Sequence, residues 1–257
     1  MQKTTLFLLT LILFTSCSSL TKNTTPLSHS SPKNEQALRE ANILNNQGVD
    51  AYHKGEYQQA ITYYHKSISI KEQVLGTEDL NTATSYNNLG LIYKKTKDYQ
   101  KALAYLTKAL QVREKLLGKN NSATAESYNN LGTLYASMGE IKKAIDLTSH
   151  TIEIKQNIME KEKIDIAISY TNLAVLEEIQ GNNHKAITHH KTALELNKKI
   201  FGEEHDVTQN NYKNIAQLYF ATGEYENAKD YASHITREEK INLNDIDVTT
   251  KIKSNRW

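Results

Sequence analysis

The phrase Ser85-Tyr86-Asn87-Asn88-Leu89-Gly90-Leu91-Ile92-Tyr93 returns forty-two residues later as Ser127-Tyr128-Asn129-Asn130-Leu131-Gly132-Thr133-Leu134-Tyr135. The same step leads on to Ser169-Tyr170-Thr171-Asn172-Leu173-Ala174 and then to Asn211-Tyr212-Lys213-Asn214-Ile215-Ala216. One step back gives Leu44-Asn45-Asn46-Gln47-Gly48, so five copies follow one another without an insertion or deletion. A period of about 20–50 residues marks a chain of supersecondary units, each burying its apolar face against the next. The repeat thus makes the chain one array.

Within each copy the punctuation is that of two helices and a turn. Gly55, Gly139, Gly181 and Gly223 share a column, with Lys97 in the second copy. Glycine there suits the left-handed position that closes a first helix. The next column, Glu56, Asp98, Glu140, Asn182 and Glu224, suits the N-terminus of a second helix. Gly76, Gly118 and Gly202 close the second helix in three copies. Two columns of small residues, Ala60/Ala102/Ala144/Ala186/Ala228 and Gly48/Gly90/Gly132/Ala174/Ala216, let the paired backbones approach, with Tyr86, Tyr128, Tyr170 and Tyr212 packed beside them. After Pro32 no proline interrupts the helices.

This Tyr–Leu–Gly–Tyr…Ala spacing resembles the tetratricopeptide repeat. The extra length of the second helix, with Arg113-Glu114-Lys115-Leu116-Leu117-Gly118, resembles its kinesin-light-chain-like, 42-residue subtype. The resemblance implies an all-α fold, a right-handed α-solenoid of five helix-turn-helix repeats over residues 36–240, with repeats at about 41–80, 81–122, 123–164, 165–206 and 207–240. The last copy holds Thr236, Glu238 and Asn242 where its predecessors are apolar, and Gln47 replaces the leucine of its column in the first. Both ends therefore read as ends, and the array as complete. Residues 241–257 are expected to form a loosely attached cap.

The N-terminus carries a different message. Lys3 precedes an apolar run from Leu6 to Phe14, and Phe14-Thr15-Ser16 leads to Cys17, the sole cysteine. Nine helical residues span about 14 Å, too little for a hydrocarbon core of roughly 30 Å, but enough for the apolar centre of a signal peptide. The stretch ending at Cys17 resembles the lipobox of bacterial lipoproteins. That implies removal of residues 1–16, lipidation of Cys17 by acyl chains such as palmitate, and attachment to the cell envelope, at the outer membrane facing the periplasm. Residues 17–35, rich in Ser, Thr and Asn, then read as a disordered tether.

The resemblance also implies a binding face. In this family the second asparagine after the motif tyrosine faces the concave groove and bonds a peptide main chain. That column reads Asn46, Asn88, Asn130, Asn172 and Asn214. A side-chain amide carries both donors and an acceptor, as a peptide does; the same asparagines could instead serve the stacking of helices. The neighbouring Asn87, Asn129 and Lys213, with Lys95, Glu126 and Glu178, vary between copies and are expected to set specificity. The expected partner is a protein or peptide, with the membrane reached through the lipid. Thirty-one basic against twenty-nine acidic residues leave no surplus for nucleic acid. No small-molecule substrate, cofactor or metal is expected. HExxH, P-loop, GxGxxG and nucleophile-elbow motifs are absent from the sequence, and the nine histidines read as scattered surface residues. An alternative is an envelope assembly component acting through its convex face or tail.

Overall fold

The computed structural model describes residues 31–158 and 163–236. The chain divides into two compact units, one ending at Ile158 and one beginning at Met159. The first contains α1 (Pro32–His53), α2 (Tyr57–Leu75), α3 (Leu80–Lys95), α4 (Tyr99–Leu117), α5 (Ser122–Ser137) and α6 (Ile141–Ile158). The second contains α7 (Lys163–Ile179), α8 (Asn183–Phe201), α9 (Asp206–Ala221) and α10 (Tyr225–Ser233). All the regular structure among the described residues is helical, with consecutive helices packed in pairs. The division falls at the one repeat boundary where the second glycine column holds Glu160. Cys17 and the segment 241–257 lie outside the described residues, as do Glu238 and Asn242.

The first helix starts earlier than expected. Pro32 opens α1 and the Ser31 hydroxyl accepts from the Asn34 amide at 3.3 Å, so residues 32–35 are helical rather than part of a tether. Proline at the first helical position is preorganised and gives up only an amide that would be unpaired anyway.

The turn inside each repeat follows the glycine column. Gly55 closes α1 at φ +80°, and Lys97 adopts φ +64° to do the same for α3. Here the acidic column does something other than cap. The amide of Glu56 reaches back to the Ala51 carbonyl at 2.9 Å, and that of Asp98 to Tyr93 at 2.9 Å, which closes the helix before it. Asp98 also accepts from an amide of its own helix, that of Lys101, whereas Glu56, Asn182 and Glu224 make no side-chain cap bond. At the far end, the carbonyls of Gly76, Gly118 and Gly202 accept the hydroxyls of Thr82, Thr124 and Thr208 at 3.1, 2.8 and 2.8 Å. Asp79, Asn121 and His205 cap the helices that follow. In that threonine column the fourth copy has Ile166.

Close approach explains the small columns. A Cβ on Gly48 would stand 2.6 Å from the Tyr64 ring, and one on Gly90 2.7 Å from Leu106 Cγ. The first unit packs on Tyr64, Tyr86, Leu89, Ile92 and Leu106; the second on Ile187, Leu194, Tyr212, Ile215 and Tyr219. One histidine departs from the surface reading. His190 is 0% exposed, and neither ring nitrogen has a hydrogen-bond partner. It occupies the column of Tyr64, Leu106 and Thr148, a packing position against the small residues of the preceding helix. Burial and the adjacent His189 pull it down to about 4, so it stays neutral.

Candidate protein-binding face

On α3, Leu80, Thr84, Asn87, Leu91 and Lys94 recur at helical spacing and share one stripe, with the Asn88 column beside it. The structure buries most of the asparagines. Asn88, Asn130 and Asn172 are buried, as are Asn87 and Asn129, whereas Asn46 and Asn214 are half-buried. Lys213 is half-buried and Lys95 exposed.

Two of these residues meet. Asn130 Nδ2 donates to Asn87 Oδ1 at 2.9 Å, joining α5 to α3. Others keep an atom unsatisfied. Asn88 Nδ2 and Asn172 Nδ2 are buried donors without a partner, and Asn46 Oδ1 is an acceptor in the same state. Each such group costs about 1–3 kcal/mol, and native folds keep few of them. The Tyr64 phenol sits close enough to Asn88 for the amide to offset part of the upward push of burial on its pKa, but their geometry falls short of a hydrogen bond.

Lys94, rather than Lys95, belongs to the stripe. Its Nζ donates to Thr133 Oγ1 at 2.7 Å, and that hydroxyl donates to the Asn130 carbonyl at 2.9 Å. Burial, reinforced by Lys95, brings the Lys94 ammonium down to about 8. The spacing Asn87 to Lys94 is two helical turns and was available in the sequence. Glu126 has a different task, facing the Arg113 guanidinium at 3.4 Å.

Arg113 belongs to a column that sequence reasoning passed over: Lys71, Arg113, Lys155 and Asn197, all buried. Lys71 Nζ donates to Ser85 Oγ at 2.8 Å, and Arg113 Nη1 to Ser127 Oγ at 2.8 Å and to the Ala123 carbonyl at 3.0 Å. Asn197 Nδ2 donates to Asn211 Oδ1 at 2.7 Å. Ser85 in turn donates to Asn45 Oδ1 at 3.4 Å. These bridges tie a second helix to the first helix of the next repeat and so set the spacing of the asparagine-bearing helices. The motif tyrosines add a second tie, Tyr86 to Glu72 at 2.5 Å and Tyr128 to Glu114.

The tetratricopeptide-repeat family model matches residues 39–115, 87–157 and 165–237. The chain belongs to the tetratricopeptide-repeat family. Its repeat is a protein-interaction module, and the described residues carry five helix pairs of it. Among solved structures, it is similar to the nearly identical TPR-like repeats of a putative kinesin light chain from Podosopora anserina, at 16% identity and TM-score 0.66, over 90% of this chain and 100% of that one. BtubC (BKLC) from P. vanneervenii gives 16% identity and TM-score 0.66, over 88% and 91%. Pseudomonas aeruginosa pilF gives 15% identity and TM-score 0.59, over 86% and 90%. At such identities the likeness is one of fold, and the fold is the kinesin-light-chain-like form of the repeat. No curated protein matches the sequence.

Proposed function

We propose that this tetratricopeptide-repeat protein is a membrane-anchored scaffold that binds a protein or peptide segment on the first helices of each unit. The observation carrying the reading is that each unit holds a buried, unpartnered amide donor at the same column of the repeat, Asn88 Nδ2 in the first and Asn172 Nδ2 in the second. Both amides are buried, so an incoming main-chain carbonyl would reach these donors only as the side chains turn outward, and binding would then remove their desolvation cost. Asn130 has spent its donor on Asn87 and acts as scaffolding. The anchor is proposed on Cys17 and the signal-like run before it. Stable attachment takes more than one acyl chain, and tethering raises the effective concentration of partners in the same envelope.

The test compares crosslinked pull-downs from solubilised membranes with wild type, Asn88→Ala/Asn172→Ala and Asn130→Ala. The double variant breaks no internal hydrogen bond of those donors, so circular dichroism should show it folded. A partner captured by wild type and lost by the double variant supports the face. Equal capture by both refutes it. Labelled palmitate incorporated by wild type and not by Cys17→Ser tests the anchor separately.

A further inference from the structure

The stripe that carries Asn87 and Lys94 on α3 has different chemistry on α7. There it reads Ile164, Ile168, Thr171, Val175 and Glu178. Ile164 is 46% exposed and the other four are half-buried, so a mainly apolar strip lies open along the helix. From 164 to 178 it runs about 21 Å at 1.5 Å per residue, the length of about six residues of extended chain.

Glu178 ends the strip, and nothing among the described residues accounts for a carboxylate there. It lies in the last turn of α7, against the negative end of the helix dipole. Among the described residues its side chain has no hydrogen-bond or ion-pair partner, unlike Glu177 next to it, which accepts from Asn182 at 2.6 Å and faces Lys185 at 3.9 Å. Burial alone acts on Glu178, raising its pKa. The equivalent residue on α3, Lys94, has both the favourable charge for a helix C-terminus and a partner in Thr133. A half-buried carboxylate, unpaired and at the wrong helix end, is suited to a cation from outside. The unpartnered Asn172 donor lies on the same helix, adjacent to Thr171 of the strip.

We propose that the α7 strip is the specificity-determining contact of the binding face, taking a partner segment whose apolar side chains lie on Ile164, Ile168 and Val175 and whose lysine or arginine pairs with Glu178. This rests on the reading that first helices bind a peptide segment, and it adds the composition of that segment. The cation gains a charge-assisted bond in a partly desolvated place, while the apolar residues cover exposed isoleucine.

The probe is a phage-displayed library of random dodecapeptides selected on the full chain. Wild type should enrich sequences with apolar residues and a lysine or arginine at a fixed distance from them. A synthetic peptide of that sequence, followed by fluorescence anisotropy, should bind Glu178→Gln about tenfold more weakly. Ile168→Ser, a half-exposed change, should weaken it as well. Glu178→Lys should recover binding when the peptide's cation is replaced by glutamate. Enriched peptides that lack a cation, or that bind Glu178→Gln as tightly as wild type yet lose Asn88→Ala/Asn172→Ala, overturn the strip and leave the wider face standing. Failure of wild type to enrich any sequence overturns both.

Discussion

Between α2 and α3, and again between α4 and α5, one repeat is fastened to the next by a buried cation; between α8 and α9 the same column holds a neutral amide. The partner changes too. Lys71 and Arg113, long donors, meet the short Ser85 and Ser127, whereas the shorter Asn197 meets the longer Asn211. The two side chains together span a similar gap in both cases, so the columns change as a pair. What differs is the electrostatics. The first unit buries charge at its bridges and satisfies it with hydroxyl and carbonyl oxygens; the second avoids burying charge there.

The contrast is broken most forcefully by removing one partner from each kind of bridge. Arg113→Ala leaves Glu126, Ser127 and the Ala123 carbonyl without their cation, and breaking a buried ionic arrangement costs about 3–5 kcal/mol. Asn197→Ala strands one neutral group, at about 1–3 kcal/mol. Urea unfolding of the full chain, followed by circular dichroism, should show the larger loss for Arg113. Equal losses would mean that the charge adds nothing beyond the hydrogen bond.

The bridges were the part of this fold least legible in the sequence. Lys71, Arg113 and Lys155 look like solvated residues on the polar side of an amphipathic helix, because hydrophobic pattern cannot tell a buried lysine from an exposed one. The available signal was the joint change to Asn197 and Asn211. Helix ends were easier, since a positive φ is costly for every residue but glycine and so leaves glycine behind at Gly55 and Gly76; Lys97 shows that the column holds even where glycine is lost. At the candidate site, the asparagine column gave positions but not bonding. Which amides are already satisfied depends on a 2.9 Å contact between Asn130 and Asn87 that spacing alone does not reveal. His190 had a readable signal, its column being otherwise Tyr64, Leu106, Thr148 and Ala232.

Titration sharpens the comparison, because each unit holds a buried base that responds at opposite ends of the pH scale. Burial, opposed by Asp79, lowers Lys71 to about 8 from an ordinary 10.5. Between those values the unfolded chain holds a proton that the folded one has released, so raising the pH stabilises the first unit, by at most about 3 kcal/mol from Lys71, and Lys94, also lowered to about 8, adds to the rise. Lys71→Asn/Ser85→Asn, which installs the bridge of α8 and α9, should reduce that rise to the part that Lys94 supplies. In the second unit His190 is lowered to about 4 from 6.5. There the unfolded chain takes up the proton first as pH falls, so stability is lost from about 6.5 downwards. His190→Leu, matching Leu106, should shrink the acid limb, to which the lowered His189 and Glu203 also contribute. Thermal unfolding from pH 4 to 10.5 reads both, and a first unit indifferent to alkali would place Lys71 in contact with water.

The smallest effect expected concerns a second amide on α9. Gln209 stands in a column that is Ala41, Ala83, Ala125 and Ala167 in the other copies. Where α2, α4 and α8 run for nineteen residues, α10 stops after nine, and the Gln209 side chain takes hold of the chain that leaves it. Its Nε2 donates to the carbonyls of Glu203 at 2.9 Å and His234 at 3.2 Å, while its Oε1 accepts from the Thr236 amide at 2.8 Å. One side-chain amide thus does for residues 234–236 what a neighbouring peptide group would do. Gln209→Ala restores the common residue and should cost only about 1–2 kcal/mol, with Thr236 amide exchange roughly tenfold faster. Gln209→Glu separates the two halves of the grip. It keeps the acceptor for Thr236 but sets a carboxylate against two carbonyl oxygens, so it should destabilise more than alanine does. If Thr236 stays equally protected in Gln209→Ala, the buried Ile235 rather than the amide holds the chain down, and the amides of α9 then matter only at the Asn197–Asn211 bridge.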